Sequence, residues 1–206
     1  MTQVTTGLRA VFSSARIYDA AQNWIGAERA RKLLVRDHLR PLPGQRLLDI
    51  GCGTARILAH LPPSIAYVGV DLSERYIFAA RREFGTRGTF ECIDVGRADP
   101  AEFRDFDLAL AFGLLHHLDD DEVRNMLTIA RNAIADDGKL VTMDGCFDAH
   151  QSALARFTIS RDRGRNVRTA SAYAELARSV FPRVRVDVRS DMIRIPYTHA
   201  ILECQR

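Results

Sequence analysis

Apolar and polar positions along the chain alternate between two rhythms. Short, mostly apolar runs recur at Gln45 to Ile50, Ala66 to Val70, Thr89 to Ile93, Phe106 to Phe112 and Lys139 to Met143. Runs of that length, closed by Asp, Gly or Pro, predict buried strands. Between them, apolar residues fall at helical spacing. Residues 8–40 read as helical, broken near Gly26, with Ile25, Ala30, Leu33, Leu34 and Leu39 as the apolar stripe. Arg29, Arg31, Lys32, Arg36 and Asp37 make the expected wet face, and Pro41-Leu42-Pro43-Gly44 ends the segment. A short helix is predicted over Ala55 to Leu61, a second from the N-cap Ser73 to Phe84, and a third from Asp119 and Asp120 to about Ala135. Val123, Met126, Leu127, Ala130 and Ile134 face inward on the third. Ser171 to Phe181 predicts a helix, and Val184 to Val188 and Tyr197 to Glu203 predict strands.

Strands alternating with helices at this spacing specify an α/β fold with a doubly wound, mainly parallel sheet. Ligands of such sheets sit outside the carboxyl ends of the strands. Asp49 to Gly53, Asp71, Asp94, Ala111 to His117 and Asp144 all fall at those ends. This convergence is the main argument for a working site.

Bulk composition narrows the picture. The 206 residues are 47% hydrophobic, enough for one domain with a real core, a helical cap over 1–43 and the sheet over 44–206. No apolar run has the length of a membrane span, and the first residues, with Arg9, Arg16 and no acid to Tyr18, lack the apolar stretch of a secretory signal. A cytoplasmic protein is expected, with no membrane partner. Net charge is +3, and all but Lys32 and Lys139 of the basic residues are arginines without a clustered patch, which gives no support to a nucleic-acid partner. Cys52, Cys92, Cys146 and Cys204 lack metal-ligand or disulfide spacing, so no metal is expected and a reducing compartment suits them.

The stretch Leu47 to Leu58 is a strand end, a Gly51-x-Gly53 turn and the start of a helix. Two residues without Cβ let a ligand approach bare backbone. Asp71, 20 residues beyond Gly51, can accept both hydroxyls of an adenosine ribose. A nicotinamide fingerprint shares that spacing, but its third glycine is replaced by Arg56. Asp49 also stands just before the turn, where it would repel a diphosphate and welcome a cation.

Together these residues resemble the class I S-adenosylmethionine-dependent methyltransferases, over Leu47 to about Phe147. Leu48-Asp49-Ile50-Gly51-Cys52-Gly53-Thr54 looks like the loop around the methionine part, and Val68 to Ser73 like the ribose motif, with Leu72 beside the adenine. Cys92-Ile93-Asp94 looks like the adenine motif, and Phe106 to Leu118 like the fourth motif. Ala55 stands where the family commonly has a further glycine. The resemblance implies a seven-stranded Rossmann-like sheet of order 3-2-1-4-5-7-6 with the last strand antiparallel. It implies S-adenosyl-L-methionine as cofactor, S-adenosyl-L-homocysteine as product, and cofactor contacts at Asp49, Gly51, Cys52, Gly53, Asp71, Leu72, Asp94, Val95, Ala111 and Phe112. The whole chain also looks like small bacterial members of unassigned substrate that share Asp162 to Arg168 and Ile195 to Thr198, members associated with polysaccharide or specialised-metabolite pathways.

Methyl transfer from a sulfonium needs alignment in a dry pocket, and a base only when the acceptor arrives protonated. His116 with Asp144 is the expected base pair; packing beneath the cofactor is the competing role for both histidines. Expected acceptor contacts are Tyr18, His117, Arg163, Arg168 and Tyr197. The arginines around Gly164 have two readings, a fork for phosphate or carboxylate and a solvated loop. The expectation is O-methylation of a small, sugar-like or specialised metabolite. Alternatives are N- or C-methylation, an RNA or protein methyltransferase, a nicotinamide enzyme, and a non-catalytic cofactor-binding partner subunit.

Overall fold

A computed structural model of the chain describes residues 26–95, 103–161 and 164–206. Tyr18 and Arg163, and the helix expected before Gly26, lie outside the described residues.

The described chain opens with α1 (Ala27–Leu34) and one wide helical turn, Val35–Leu39. Strands β1 (Arg46–Ile50) and β2 (Ala66–Asp71) follow, separated by a tight turn of helix at Arg56–His60. Then come α2 (Glu74–Phe84), β3 (Gly88–Cys92), β4 (Phe106–Phe112) and α3 (Asp120–Ala133). The last third contains β5 (Ile134–Phe147), α4 (Ala153–Ser160), the two-residue β6 (Arg168–Thr169), α5 (Ala170–Arg178), β7 (Arg183–Arg189) and β8 (His199–Gln205).

The strands lie in the order β3-β2-β1-β4-β5-β8-β7, with β6 paired to the end of β5. Counting β6 as a strand shifts the last two numbers, and the order is otherwise the one expected. β8 runs antiparallel to both β5 and β7, with Gly145 opposite His199. This reversal brings the start of β8 to the edge where β1, β2, β4 and β5 end.

Strand alternation divides the core. Leu48, Ile50, Ala109, Ala111 and Leu140 pack under α3 and α5, against Val123, Met126, Leu127, Tyr173 and Ala177. Leu47, Leu108, Leu110, Val141 and Ile201 point the other way, into Ala30, Leu34, Ile57, Leu58 and Ile77. Helix α3 starts where its sequence says it should. Asp119 accepts from Glu122 N at 2.9 Å while the Glu122 carboxylate accepts from Asp119 N at 3.0 Å, a reciprocal cap.

Three expectations need correction. Arg31 is buried, not on a wet face: Ala27, Ala30, Arg31 and Leu34 share the inward side of α1. The fifth strand begins at Ile134, because the Asp137-Gly138 turn is absorbed as a bulge between the pairs Phe106–Ile134 and Leu108–Lys139. Tyr197 precedes the last strand, which starts at His199.

Gly69 ties the sheet to the site. A Cβ there would stand 2.8 Å from the Tyr67 ring and 2.9 Å from Cys52 Sγ. Gly69→Ala is expected to destabilise by about 1–3 kcal/mol through overpacking. Thermal denaturation checks this; an unchanged Tm would show that the two side chains move aside freely.

Candidate active site

The first half of the site is the turn after β1. Gly51 N and Cys52 N both donate to Val70 O, at 2.8 and 3.0 Å, pinning the turn to the end of β2. Gly51 and Gly53 have φ of +73° and +55°, a region that disfavours side chains, and Ala55 follows at +56°. Asp71 closes the turn: its Oδ2 accepts from Gly53 N at 2.9 Å and its Oδ1 from Ser73 N at 2.8 Å. Burial raises the Asp71 carboxyl pKa, and the two N–H groups oppose the rise. Each Asp71 oxygen keeps a second lone pair for a further donor.

Asp49 lies beneath this turn, 2% exposed. Its Oδ2 accepts from the Tyr67 hydroxyl at 2.6 Å, and its Oδ1 has no hydrogen-bond partner among the described residues. Burial pushes the Asp49 carboxyl up to about 7; the Tyr67 hydrogen bond pulls it down, nearby Asp71 raises it, and Arg31 lowers it. Burial, Asp49 and Asp71 likewise push the Cys52 thiol far up, leaving it a poor nucleophile. The Arg31 guanidinium lies 5.8 Å from the Phe112 ring centroid. Leu72, just after β2, remains 46% exposed and offers an apolar face beside Asp71. Asp94 is half-buried, Val95 and Ala111 are buried, and Phe112 is half-buried.

The second half is the short turn Leu115–His117 after β4. His116 Nδ1 lies 2.7 Å from Asp144 Oδ1, which also accepts from His116 N at 3.2 Å. Nδ1 is thereby committed to Asp144, and a ring that carries its proton on Nδ1 has its basic lone pair on Nε2. His117 stacks against His116 at 4.1 Å between ring centroids. Tyr197 is buried, packs over Gly145 and stacks on His199 at 4.7 Å.

Arg168 reaches the site but not as an anion fork. Its guanidinium donates to Leu115 O, Asn166 O, Leu118 O and, from Nε and Nη2, to Asp120 Oδ1, at 2.7 to 3.0 Å. All five N–H donors are thereby used, leaving none for a phosphate or carboxylate substrate.

Tyr67, Gly69 and Arg31 were missed as site residues. Tyr67, Gly69 and Asp71 alternate on one face of β2, level with Leu47 and Asp49 on β1, so the strand pattern carried the signal. For Arg31 it was the helical spacing of Ala27, Ala30 and Leu34.

Comparisons with known proteins agree with this architecture. Residues 48–140 match the family model of a methyltransferase domain. An O-methyltransferase of Pyrenophora dematioidea is 31% identical over 128 residues, covering 56% of this chain and 47% of that protein. A tRNA U34 carboxymethyltransferase of Aeromonas hydrophila is 32% identical over 109 residues, covering 50% and 33%. The chain thus spans less than half the length of the curated relatives it matches. Among solved structures, a TehB-like SAM-dependent methyltransferase from Corynebacterium glutamicum superposes with a TM-score of 0.67 at 19% identity, covering 93% of this chain and 98% of that one. Residues 48–140 thus resemble a methyltransferase domain, and the chain has the fold of S-adenosylmethionine-dependent methyltransferases.

The residues present fit that cofactor. The open space at Gly53 and the unpartnered, buried Asp49 Oδ1 suit the ammonium of an amino-acid end, and Asp71 suits a ribose. Among the described residues no helix is long and apolar enough to cross a membrane.

Asp49 is expected to make stability, and cofactor binding if it holds the ligand, depend on pH. Its folded pKa is raised above its unfolded value, so its contribution to stability is full below the unfolded pKa and is lost as pH rises through about 7. A bound cation favours the carboxylate, so S-adenosylmethionine affinity is expected to rise over the same interval with release of a proton. Asp49→Asn is expected to abolish the proton release and weaken binding by about 1.5–3 kcal/mol. Calorimetry in buffers of different ionisation enthalpy reads both; unaltered proton release would rule out Asp49 as its source.

Proposed function

We propose that the chain transfers a methyl group from S-adenosylmethionine to an oxygen of a small, sugar-like or specialised metabolite, with His116 as general base. The observation that carries this reading is the 2.7 Å contact between His116 Nδ1 and buried Asp144, at the strand edge that holds the glycine turn. The match to an O-methyltransferase over half the chain supports the same chemistry.

The bound cofactor would supply a methyl group on a sulfonium, open to in-line attack. The chain's own residues do the rest. Asp49 and the Gly51–Gly53 turn hold the amino-acid end, Asp71 the ribose, and Leu72 and Asp94 the adenine. His116 accepts the acceptor's hydroxyl proton at Nε2 while Asp144 fixes the tautomer and stabilises the imidazolium. Leu115 and Tyr197, both buried, exclude water from the pair's surroundings. Of the expected acceptor contacts, His117 lies against His116, and Tyr197 packs over Gly145, next to Asp144. The reaction is read as cytoplasmic and confined to small molecules.

The test incubates the protein with isotope-labelled S-adenosylmethionine and a metabolite extract, with unfractionated tRNA as the contrasting acceptor. Labelled product is expected among small molecules. His116→Ala is expected to lower kcat by about 10²–10⁴ and to remove the acidic limb of its pH profile, with Asp144→Asn reduced in the same direction. Full turnover in both variants would refute the base assignment. Label in tRNA alone would refute the acceptor class, and tight cofactor binding without labelled product would point to a non-catalytic partner subunit.

A further inference from the structure

The turn that carries His116 is held from two directions. Asp144 on β5 takes its ring and its backbone N–H. The carbonyls are held by a segment about fifty residues further along the chain, between α4 and α5. Asn166 N donates to His116 O at 3.0 Å. Arg168 Nη1 donates to Leu115 O at 3.0 Å and Nη2 to Leu118 O at 2.9 Å, one on each side of His116. Gly164 closes the arrangement, because a Cβ there would stand 2.1 Å from His116 Cδ2 and 2.7 Å from His116 O.

Arg168 is in turn anchored to Asp120 through Nε and Nη2, at 2.9 and 2.7 Å, and its guanidinium lies 5.6 Å from the Tyr173 ring centroid. The Arg168 side chain is 11% exposed, whereas that of Asp120 is 60% exposed. The planar fork therefore reaches from the first turn of α3 to the carbonyls flanking His116. Lysine could not replace it, since three donors on one nitrogen cannot span three carbonyls and a carboxylate.

We infer that residues 164–168 are the positioning device for His116: Arg168 and Asn166 set the backbone of its turn, and Gly164 sets the limit of its ring. Arg168 is a positioning residue that acts through His116, and the inference rests on the reading of His116 as base. The chemistry implied is steric and directional. The segment fixes where Nε2 points relative to a methyl acceptor, and the absent side chain at Gly164 is what allows the ring to lie there.

Nuclear magnetic resonance of the full chain with 15N-labelled histidine reads this directly, with and without S-adenosylmethionine. In Arg168→Lys and Gly164→Ala, the His116 imidazole is expected to change its nitrogen shifts and its titration midpoint. Calorimetry is expected to give unchanged S-adenosylmethionine affinity, since Arg168 holds the His116 turn and Asp120, and Gly164 abuts the His116 ring, rather than the Gly51–Gly53 turn. With the identified acceptor, kcat falls by about 100-fold, the scale of a displaced catalytic group, with little change in KM. If either variant fails to fold, Asp120→Asn, altered at the exposed end of the clasp, is expected to move the same signals by a smaller amount. His116 signals and titration identical to wild type in the folded variants would overturn the inference while leaving the base role intact. Turnover surviving in His116→Ala would instead remove the base role, and moved imidazole signals would still uphold the positioning.

Discussion

Burying a carboxylate costs several kcal/mol unless something compensates it, and this fold buries two at the same edge of its sheet. Asp49 and Asp144 are each 2% exposed. They lie on opposite faces, Asp49 on the α1 side with Leu47 and Asp144 on the α3 and α5 side with Leu140 and Cys146. Each is compensated incompletely: Tyr67 serves one oxygen of Asp49, His116 one oxygen of Asp144, and the second oxygen of each has no hydrogen-bond partner among the described residues. Polar atoms left this way inside a core mark places where a ligand or a moving proton completes the arrangement.

The two carboxylates divide the chemistry. In the proposed reading Asp49 keeps one oxygen without a partner under a turn of bare backbone, so its surroundings favour a cationic group arriving from outside. Asp144 faces a histidine supplied by the same chain, so its surroundings favour a charge that appears and disappears during reaction. The antiparallel β8 brings a third contributor to that edge. Its start carries His199 opposite Gly145, with Tyr197 stacked on His199 and packed where a side chain on residue 145 would be. Sheet topology, rather than any one loop, places these groups together.

Much of this was legible in the sequence for local reasons. β4 runs from Phe106 to Phe112 as its apolar run says, α2 starts at the cap Ser73, and Asp49 and Asp71 stand at the ends of β1 and β2 as expected. His116 and Asp144 come together because His116 follows β4 and Asp144 lies near the end of its parallel neighbour β5. What was not legible was long-range or cut across a residue's usual preference. Arginine belongs to wet faces as a rule, and Arg31 breaks it because Asp49 and Phe112 lie beneath it. No periodicity connects Arg168 with Leu115 and Leu118, so four arginines around a glycine suggested an anion fork or a solvated loop where the fold uses Arg168 as a clasp. The bulge within β5 follows from pairing with β4, which a turn-forming Asp-Gly pair does not reveal.

The central claim is that one strand edge holds the methyl donor through Asp49 and Asp71 and presents it to a histidine fixed by Asp144. A crystal structure of the protein with S-adenosylhomocysteine tests it most directly. The account predicts the amino group of the ligand near Asp49 Oδ1, the ribose hydroxyls on Asp71, and the sulfur facing the His116 side of the cleft. A ligand seated with its ribose away from Asp71, or with its sulfur turned from His116, would contradict it.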